Sequence, residues 1–145
     1  MSKLTCSRKL HICTGHRVMG HESKCANPHG HNYVIWIEAE APLDSLGRVI
    51  DFSVLKQKVG GWLEEKWDHT FLVYGRDFEM ITALESIKTR NKEHFVCDFN
   101  PTAENMADYL LKTVCPEVLK DTGVTVVKVT IWETENCTAE AKLDG

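Results

Sequence analysis

The most informative part of this 145-residue chain reads Cys25-Ala26-Asn27-Pro28-His29-Gly30-His31. It leads into an apolar run with the composition of a β-strand, Tyr33-Val34-Ile35-Trp36-Ile37. Because alternate residues of a strand share one face, roughly 7 Å apart at Cα, His29 and His31 can bind one metal ion. Gly30 has no side chain, so the opposite face stays open. His16 is the third imidazole, which we expect at the end of a neighbouring strand.

Three histidines indicate a zinc centre of the catalytic type. Zinc held by three protein ligands keeps a fourth position for water or substrate, whereas closed structural sites use four ligands and often cysteine. Neutral imidazoles side by side on a strand gain little from packing, so metal binding explains the pair better. Cys25 has two interpretations, a reactive thiol beside an open site or a fourth ligand that closes it. His21 is a weaker alternative to His16, and His11, His21 and His94 fit packed or solvated roles.

Length and composition indicate one domain over residues 1–145. The chain is 43% hydrophobic and 26% charged, with a formal net charge of −4 and no run of lysine or arginine. These values argue against a nucleic-acid partner or an anionic membrane surface. The first residues lack the apolar core of a signal peptide, and no stretch is apolar enough to cross a membrane. We therefore expect a cytoplasmic protein whose six cysteines are thiols.

Hydrophobic periodicity and capping residues predict an α+β architecture. The predicted strands cover 3–14, 31–40, 93–99 and 125–132, with 137–142 as a hairpin partner of the last. The predicted helices cover 51–66, capped by Asp51 or Ser53, then 78–87, and Pro101 to Cys115, capped by Asn100. We expect 3–14, 31–40, 125–132 and 137–142, the pairs that flank the helical middle, to form a four-stranded sheet with helices on one face. Its two open edges predict that subunits join their sheets.

Six short motifs follow one another along the chain. They are Thr14-Gly15-His16-Arg17-Val18, Cys25-x3-His29-Gly30-His31-x-Tyr33, Val49-Ile50-Asp51-Phe52-x-x-Leu55-Lys56, Trp67-Asp68-His69-x-x-Leu72, Asn100-Pro101-Thr102-x-Glu104-Asn105 and Trp132-Glu133-Thr134. In this order they resemble the family of 6-pyruvoyl-tetrahydropterin synthase and 6-carboxy-5,6,7,8-tetrahydropterin synthase, nearly end to end. The three-residue gap between Cys25 and His29 resembles the bacterial carboxy enzymes of the 7-deazaguanine (queuosine) route.

The resemblance implies a tunnelling fold, an antiparallel ββααββ sheet with helices on one face. Subunits of that fold join into a β-barrel, and trimers pair to form a homo-hexamer with active sites between subunits.

The resemblance also implies a reaction, the conversion of 7,8-dihydroneopterin triphosphate to 6-carboxytetrahydropterin, acetaldehyde and triphosphate. Zn²⁺ would lie on His16, His29 and His31. Cys25 would act as a base in its thiolate form, with Asp68 and His69 as its proton-carrying partners. Family precedent has that pair reach the cysteine of an adjacent subunit.

For the substrate, the resemblance points to Glu133 as the anchor of the pterin, with Thr102 and Glu104 as further pocket residues. One carboxylate can accept both donors of the pterin's amidine-like edge. Glu104 has a second interpretation, a first-turn carboxylate favoured by the helix dipole. Arg17 and Lys24 lie beside the ligand loop and are the cations expected for the triphosphate.

Two other functions share most of these residues. A pyruvoyl synthase would eliminate triphosphate from the same substrate, and a non-catalytic zinc and pterin binder would need no Cys25, Asp68 or His69. The joint presence of those three favours an enzyme. The segment 73–99 is longer than in short bacterial members, and we expect it to reshape the mouth of the pocket.

Overall fold

Six strands form one mixed sheet in the computed structural model, which describes residues 2–144. They are β1 (Thr5–His16), β2 (His29–Glu40), β3 (Phe71–Tyr74), β4 (Phe95–Cys97), β5 (Thr125–Thr134) and β6 (Cys137–Lys142). Their order across the sheet is β4-β3-β1-β2-β5-β6. The four strands β1, β2, β5 and β6 pair antiparallel, whereas β3 and β4 extend the sheet beyond β1 in parallel.

Three helices accompany the sheet. The helix α1 (52–66) has α-helical ends, Phe52–Leu55 and Gly61–Lys66, around a π-helical turn at Lys56–Gly60. The short helix α2 is Phe78–Glu85. The helix α3 (103–118) contains a second π-helical turn, Leu110–Val114, between Ala103–Tyr109 and Cys115–Val118. Pro116 comes two residues after this turn. Because proline has no N–H donor, it interrupts the α-helical hydrogen-bond pattern next to the turn.

The core lies between one face of the sheet and the helices α1 and α3. Side chains of β1, β2 and β5 such as Ile12, Ile35 and Val129 alternate toward the helices and are buried. Trp67, at the end of α1, is fully buried and stacks on Tyr109 of α3, with ring centroids 6.1 Å apart. This one-sided packing explains the alternation of the strands.

The opposite face of the sheet is open. A groove of about 730 Å³ runs along it, and its lining includes Lys9, Trp36, Lys128 and Trp132. No helix in the described range 2–144 has the length and apolarity needed to span a bilayer.

The predicted helices-on-one-face α+β architecture is confirmed, but the count of four strands is wrong. The structure adds β3, a run of four residues with two buried side chains in its middle, and β4 lies inside the predicted strand 93–99. A strand this short has too few residues for a period to show. The first two strands also reach further than predicted, so that His16 and His29 are paired strand residues.

The start of α1 was predicted and that of α3 was not. Asp51 caps α1, because its Oδ1 accepts a 2.9 Å hydrogen bond from the Ser53 amide. The predicted cap of α3, Asn100, is wrong. Thr102 is the cap, with its Oγ1 accepting from the Asn105 amide at 3.1 Å. The Asn100 side chain binds both backbone groups of Met19 instead, a tertiary contact that local sequence does not reveal.

The segment 73–99 is tied to the end of β1. The Arg17 guanidinium binds both oxygens of Asp77, at 2.6 Å from Nε and 2.5 Å from Nη2. Asp77 is buried and also caps α2 through the Met80 amide. Hydrogen bonds from Arg17 hold the pKa of this carboxyl below its ordinary value, against the effect of burial. The residue next to His16 is thus fixed from outside β1.

Replacing Asp77 with Asn should lower the free energy of unfolding by about 2 kcal/mol at neutral pH, because a buried charged fork is lost. Urea denaturation measures the difference. Since the folded-state pKa of Asp77 is depressed, its stabilisation is present above the ordinary aspartate pKa and is lost as pH falls through the depressed value. The gap between parent and variant should therefore close in acid. Glu79→Gln is the control, since that exposed side chain meets the same Arg17 and should contribute less than about 0.5 kcal/mol.

Candidate functional site

The register of β1 on β2 brings the three predicted histidines together. His16 lies opposite His29, and Thr14 lies opposite His31. The pleat turns all three imidazoles to the helix side of the sheet. Their ring centroids are 4.7 Å apart for His16 and His29, 4.9 Å for His29 and His31, and 5.3 Å for His16 and His31.

Backbone carbonyls orient two of these rings. His16 Nδ1 donates to the Pro101 carbonyl and His29 Nδ1 donates to the Asn27 carbonyl, both at 2.6 Å. This leaves Nε2 of each ring with a free lone pair, the arrangement found around metal-bound histidines. His31 Nε2 is buried and has no hydrogen-bond partner. The three rings are therefore prepared for a positive ion.

Burial also keeps two of the imidazoles neutral. It lowers the pKa of His16 and of His31 below the ordinary histidine value. For His16 the bond to Pro101 and the charge of Glu133 act in the opposite direction and are outweighed. A neutral imidazole offers the lone pair that a metal requires.

Glu133 completes the cluster. Its Oε1 lies 2.8 Å from His31 Nε2, without hydrogen-bond geometry, and 3.8 Å from His16 Nε2. Ligand atoms of the three histidines and Glu133 all lie within 4.8 Å of one another, so this group could hold a metal ion. Glu133 sits where the β5–β6 register shifts, and such bulges re-aim side chains. From the sequence, Glu133 was predicted only as the anchor of the pterin, because the β2–β5 pairing that brings it to the histidines is not visible in the local sequence.

Two glycines let the strands at the cluster approach one another. Gly15 and Gly30 face each other in the ladder between the two ligand rows. A Cβ on Gly15 would lie 2.8 Å from a ring carbon of Phe71 in β3, and one on Gly30 would lie 3.2 Å from the Thr14 carbonyl oxygen. A larger residue at Gly15 would displace Phe71 and loosen β3 beside His16.

Tyr33 is a further neighbour of the cluster, and sequence analysis gave it no role. Its hydroxyl lies 3.3 Å from His16 Nδ1 and 3.2 Å from Nε2, and the residue is fully buried. Burial raises the pKa of this phenol far above its ordinary value. Tyr33 therefore lines the site as an uncharged residue.

Cys25 lies in the short turn Lys24–Ala26 between the two histidine strands and is half-buried. The converging donors found among residues 2–144 do not include its thiol. The fourth member of this group is Glu133, not Cys25. His21 is also outside the group, because its Nδ1 accepts from the Ser23 amide at 2.9 Å.

Asp68 and His69 form a hydrogen-bonded pair in the turn after α1. His69 Nδ1 donates to Asp68 Oδ2 at 2.8 Å. The turn is fixed to β1, because Asp68 Oδ1 accepts from the Cys13 amide at 2.7 Å and the His69 amide donates to the Cys13 carbonyl at 2.6 Å. Burial pushes the pKa of Asp68 upward, but these bonds outweigh it and the pKa is lowered. The His69 side chain is 75% exposed, and the His69 backbone has a φ of 58°.

The other predicted residues lie around the cluster without joining it. The Thr102 hydroxyl caps α3, directly after the Pro101 carbonyl that binds His16. Glu104 is exposed in the first turn of α3, where the helix dipole favours it. Arg17 is not free for a triphosphate, since Asp77 holds it, whereas Lys24 is exposed in the turn of Cys25.

Comparisons with known proteins agree with this geometry. A family model described as 6-pyruvoyl tetrahydropterin synthase matches residues 5–144. The chain is 36% identical over 138 residues to a 6-carboxy-5,6,7,8-tetrahydropterin synthase of Rickettsia bellii, which covers 94% of this chain and 99% of that protein.

Solved structures confirm the predicted tunnelling fold. An uncharacterized protein from Wolinella succinogenes superposes with a TM-score of 0.84 at 23% identity, covering 99% of this chain and 100% of the other. The 6-pyruvoyl tetrahydropterin synthase of Caenorhabditis elegans superposes with a TM-score of 0.64 at 23% identity, covering 99% and 98%. Because the family model matches almost the whole chain, the chain belongs to the 6-pyruvoyl tetrahydropterin synthase family.

Proposed function

We propose that this protein is a zinc-dependent 6-carboxy-5,6,7,8-tetrahydropterin synthase of queuosine biosynthesis. It converts 7,8-dihydroneopterin triphosphate and one water molecule to 6-carboxytetrahydropterin, acetaldehyde and triphosphate. The observation that carries the proposal is the convergence of three histidines and one glutamate at one end of the sheet. The substrate is supported by the name of relatives that match nearly the whole chain, such as the Rickettsia bellii protein.

Zinc fits the donor set. Three imidazole nitrogens and one carboxylate oxygen are donors that Zn²⁺ accepts, and the negative Glu133 carboxylate 2.8 Å from His31 Nε2 favours a cation at this place. Bound zinc would act as a Lewis acid on the oxygens of the substrate side chain. The carbonyls of Pro101 and Asn27 keep His16 and His29 in the tautomer that exposes Nε2.

Glu133 is assigned to the pterin. The carboxylate accepts the ring N–H and the exocyclic amine together, a charge-assisted fork that fixes the plane of the ring. Its contact with His31 supports a pterin position directly beside the proposed metal ligands. A pterin bound there would have its side chain at the histidines.

Cys25 and the Asp68–His69 pair move protons. Asp68 holds His69 Nδ1–H, so that Nε2 is the atom that takes or gives a proton. The pair binds the backbone N–H and carbonyl of Cys13 in β1, and the imidazole is open to solvent. We assign it to the Cys25 of a neighbouring subunit.

The open edges of the sheet support assembly. Within residues 2–144, β3 pairs with β1 only at Gly15 and His16, so most of β1 has β2 as its sole neighbour. The other edge strand, β6, pairs only with β5. Two such edges with free backbone groups can join between subunits and close a barrel. The groove with Trp36 and Trp132 would line its interior, and trimers would pair to form hexamers.

The zinc-loaded protein should release acetaldehyde and 6-carboxytetrahydropterin from 7,8-dihydroneopterin triphosphate, measured by chromatography and an aldehyde assay. Cys25→Ala should keep its zinc and lose turnover by at least about a hundredfold, because a general base is lost. Cys137→Ala, at an exposed thiol of β6, is the matched control. Triphosphate release with a pyruvoyl product and no acetaldehyde would favour the pyruvoyl synthase, and binding without any product would favour the non-catalytic protein.

Metal analysis and pterin titration should separate the ligands from the anchor. His29→Ala and His31→Ala should lose nearly all zinc. Glu133→Gln should keep it while raising the dissociation constant of the pterin at least about tenfold, roughly 1.4 kcal/mol. Glu104→Gln, an exposed carboxylate, is the control and should change neither quantity. Loss of zinc in Glu133→Gln would make this residue a ligand instead.

The mass in solution should be a multiple of three subunits, most simply six, by light scattering. Inactive Cys25→Ala and inactive His69→Ala subunits, dissociated and mixed, should regain part of the activity, because some interfaces then combine an intact thiol with an intact imidazole. Verified mixed oligomers without activity would place the three groups in one chain. A fully active monomer would refute the assembly.

A further inference from the structure

A lysine of the segment 73–99 reaches the turn that carries Asp68 and His69. Lys92 Nζ donates to the Glu64 carbonyl at 2.5 Å and also to the Asp68 carbonyl. Glu64 lies in the last turn of α1, and Asp68 follows the end of that helix. One ammonium group therefore joins the helix end to the turn.

These contacts meet two needs of the local backbone. The last carbonyls of a helix lack partners within the helix, and a cation placed there is favoured by the helix dipole. The Asp68 carbonyl belongs to the peptide that precedes His69, whose φ of 58° is costly for a residue with a side chain. Such a conformation persists only where neighbouring contacts fix it. Cys13 fixes the turn on one side, and Lys92 fixes it on the other.

The backbone that carries Lys92 is itself held in place. Phe95 follows three residues later in β4 and lies opposite Leu72 of β3. Its ring packs against Trp62 and Trp67 of the α1 region, with centroids 5.8 and 6.0 Å away. Lys92 therefore lies three residues before a fixed strand and reaches toward the helix on which that strand packs.

We propose that Lys92 is a positioning residue that sets where the His69 imidazole is presented, and that the segment 73–99 braces the Asp68–His69 pair. The inference rests on the proposed function, in which His69 carries the proton. Within residues 2–144, Lys92 contacts neither the histidine cluster nor Glu133, so it acts through the turn. The segment's other tie, Arg17 to Asp77, braces the end of β1 in the same way.

Kinetics of three variants test the role. Lys92→Met removes the ammonium and keeps much of the apolar stem, and kcat should fall about tenfold with KM within about twofold, since a misplaced catalytic group slows the chemical step. Lys92→Arg keeps the charge and donors and should restore most of kcat. Lys88→Met is the matched control, because the Lys88 ammonium donates to the Glu85 carbonyl of its own segment and not to the Asp68–His69 turn within the described residues. Zinc content should stay at the parent level in all three.

Amide hydrogen exchange gives a readout that does not need activity. The His69 amide, which donates to Cys13, should exchange about tenfold faster in Lys92→Met than in the parent, while the Ile35 amide in the sheet centre stays unchanged. Parent-like kcat or parent-like His69 exchange in Lys92→Met would overturn the proposal. Equal acceleration at Ile35, or equal effects in Lys88→Met, would reduce Lys92 to a general stabilising contact and overturn it as well. If the parent protein forms no product, the proposed function is refuted, and the exchange rate of the His69 amide alone then tests whether Lys92 braces the turn.

Discussion

The register between β1 and β2 is the constraint on which the site depends. His16 can meet His29 and His31 only if the ladder pairs Gly15 with Gly30. A slip by one residue would turn one strand's imidazoles to the open face, because side chains alternate with a period of two. The same slip would expose Ile35 and Ile37, which are fully buried. The apolar core and the histidine cluster therefore require one and the same register.

The end of β1 is also where the rest of the chain is attached. Cys13 holds the Asp68–His69 turn, His16 is oriented by Pro101, Arg17 binds Asp77 and Met19 binds Asn100. Each partner comes from a segment at least 55 residues further along the chain. Loops that carry chemistry are precise only when a rigid scaffold positions them. Here one strand end positions four of them through charged or backbone hydrogen bonds.

The two halves of the proposed chemistry sit in different electrostatic surroundings. His16 is buried and His31 is half-buried, which lowers the pKa of both imidazoles and keeps them neutral and suited to a metal. His69 is exposed and paired with a carboxylate, which suits proton exchange. In the proposed mechanism a neighbouring subunit encloses this outward-facing imidazole, and the free edge of β1 lies beside it. The proposal thus links assembly and catalysis through the same strand.

The sequence alone determined the apolar alternation of β2, the helix begun at Asp51 and the family motifs, because each is a local pattern within a dozen residues. It identified His16, His29 and His31 for the same reason, since a His-x-His pair on a strand has one simple interpretation. Tertiary structure decided what depends on pairing between distant segments. It placed Glu133 in the cluster through the β2–β5 ladder. It also paired Asn100 with Met19, made Thr102 the cap of α3, and paired Arg17 with Asp77. These contacts depend on which strands lie side by side, and no spacing along the chain encodes that.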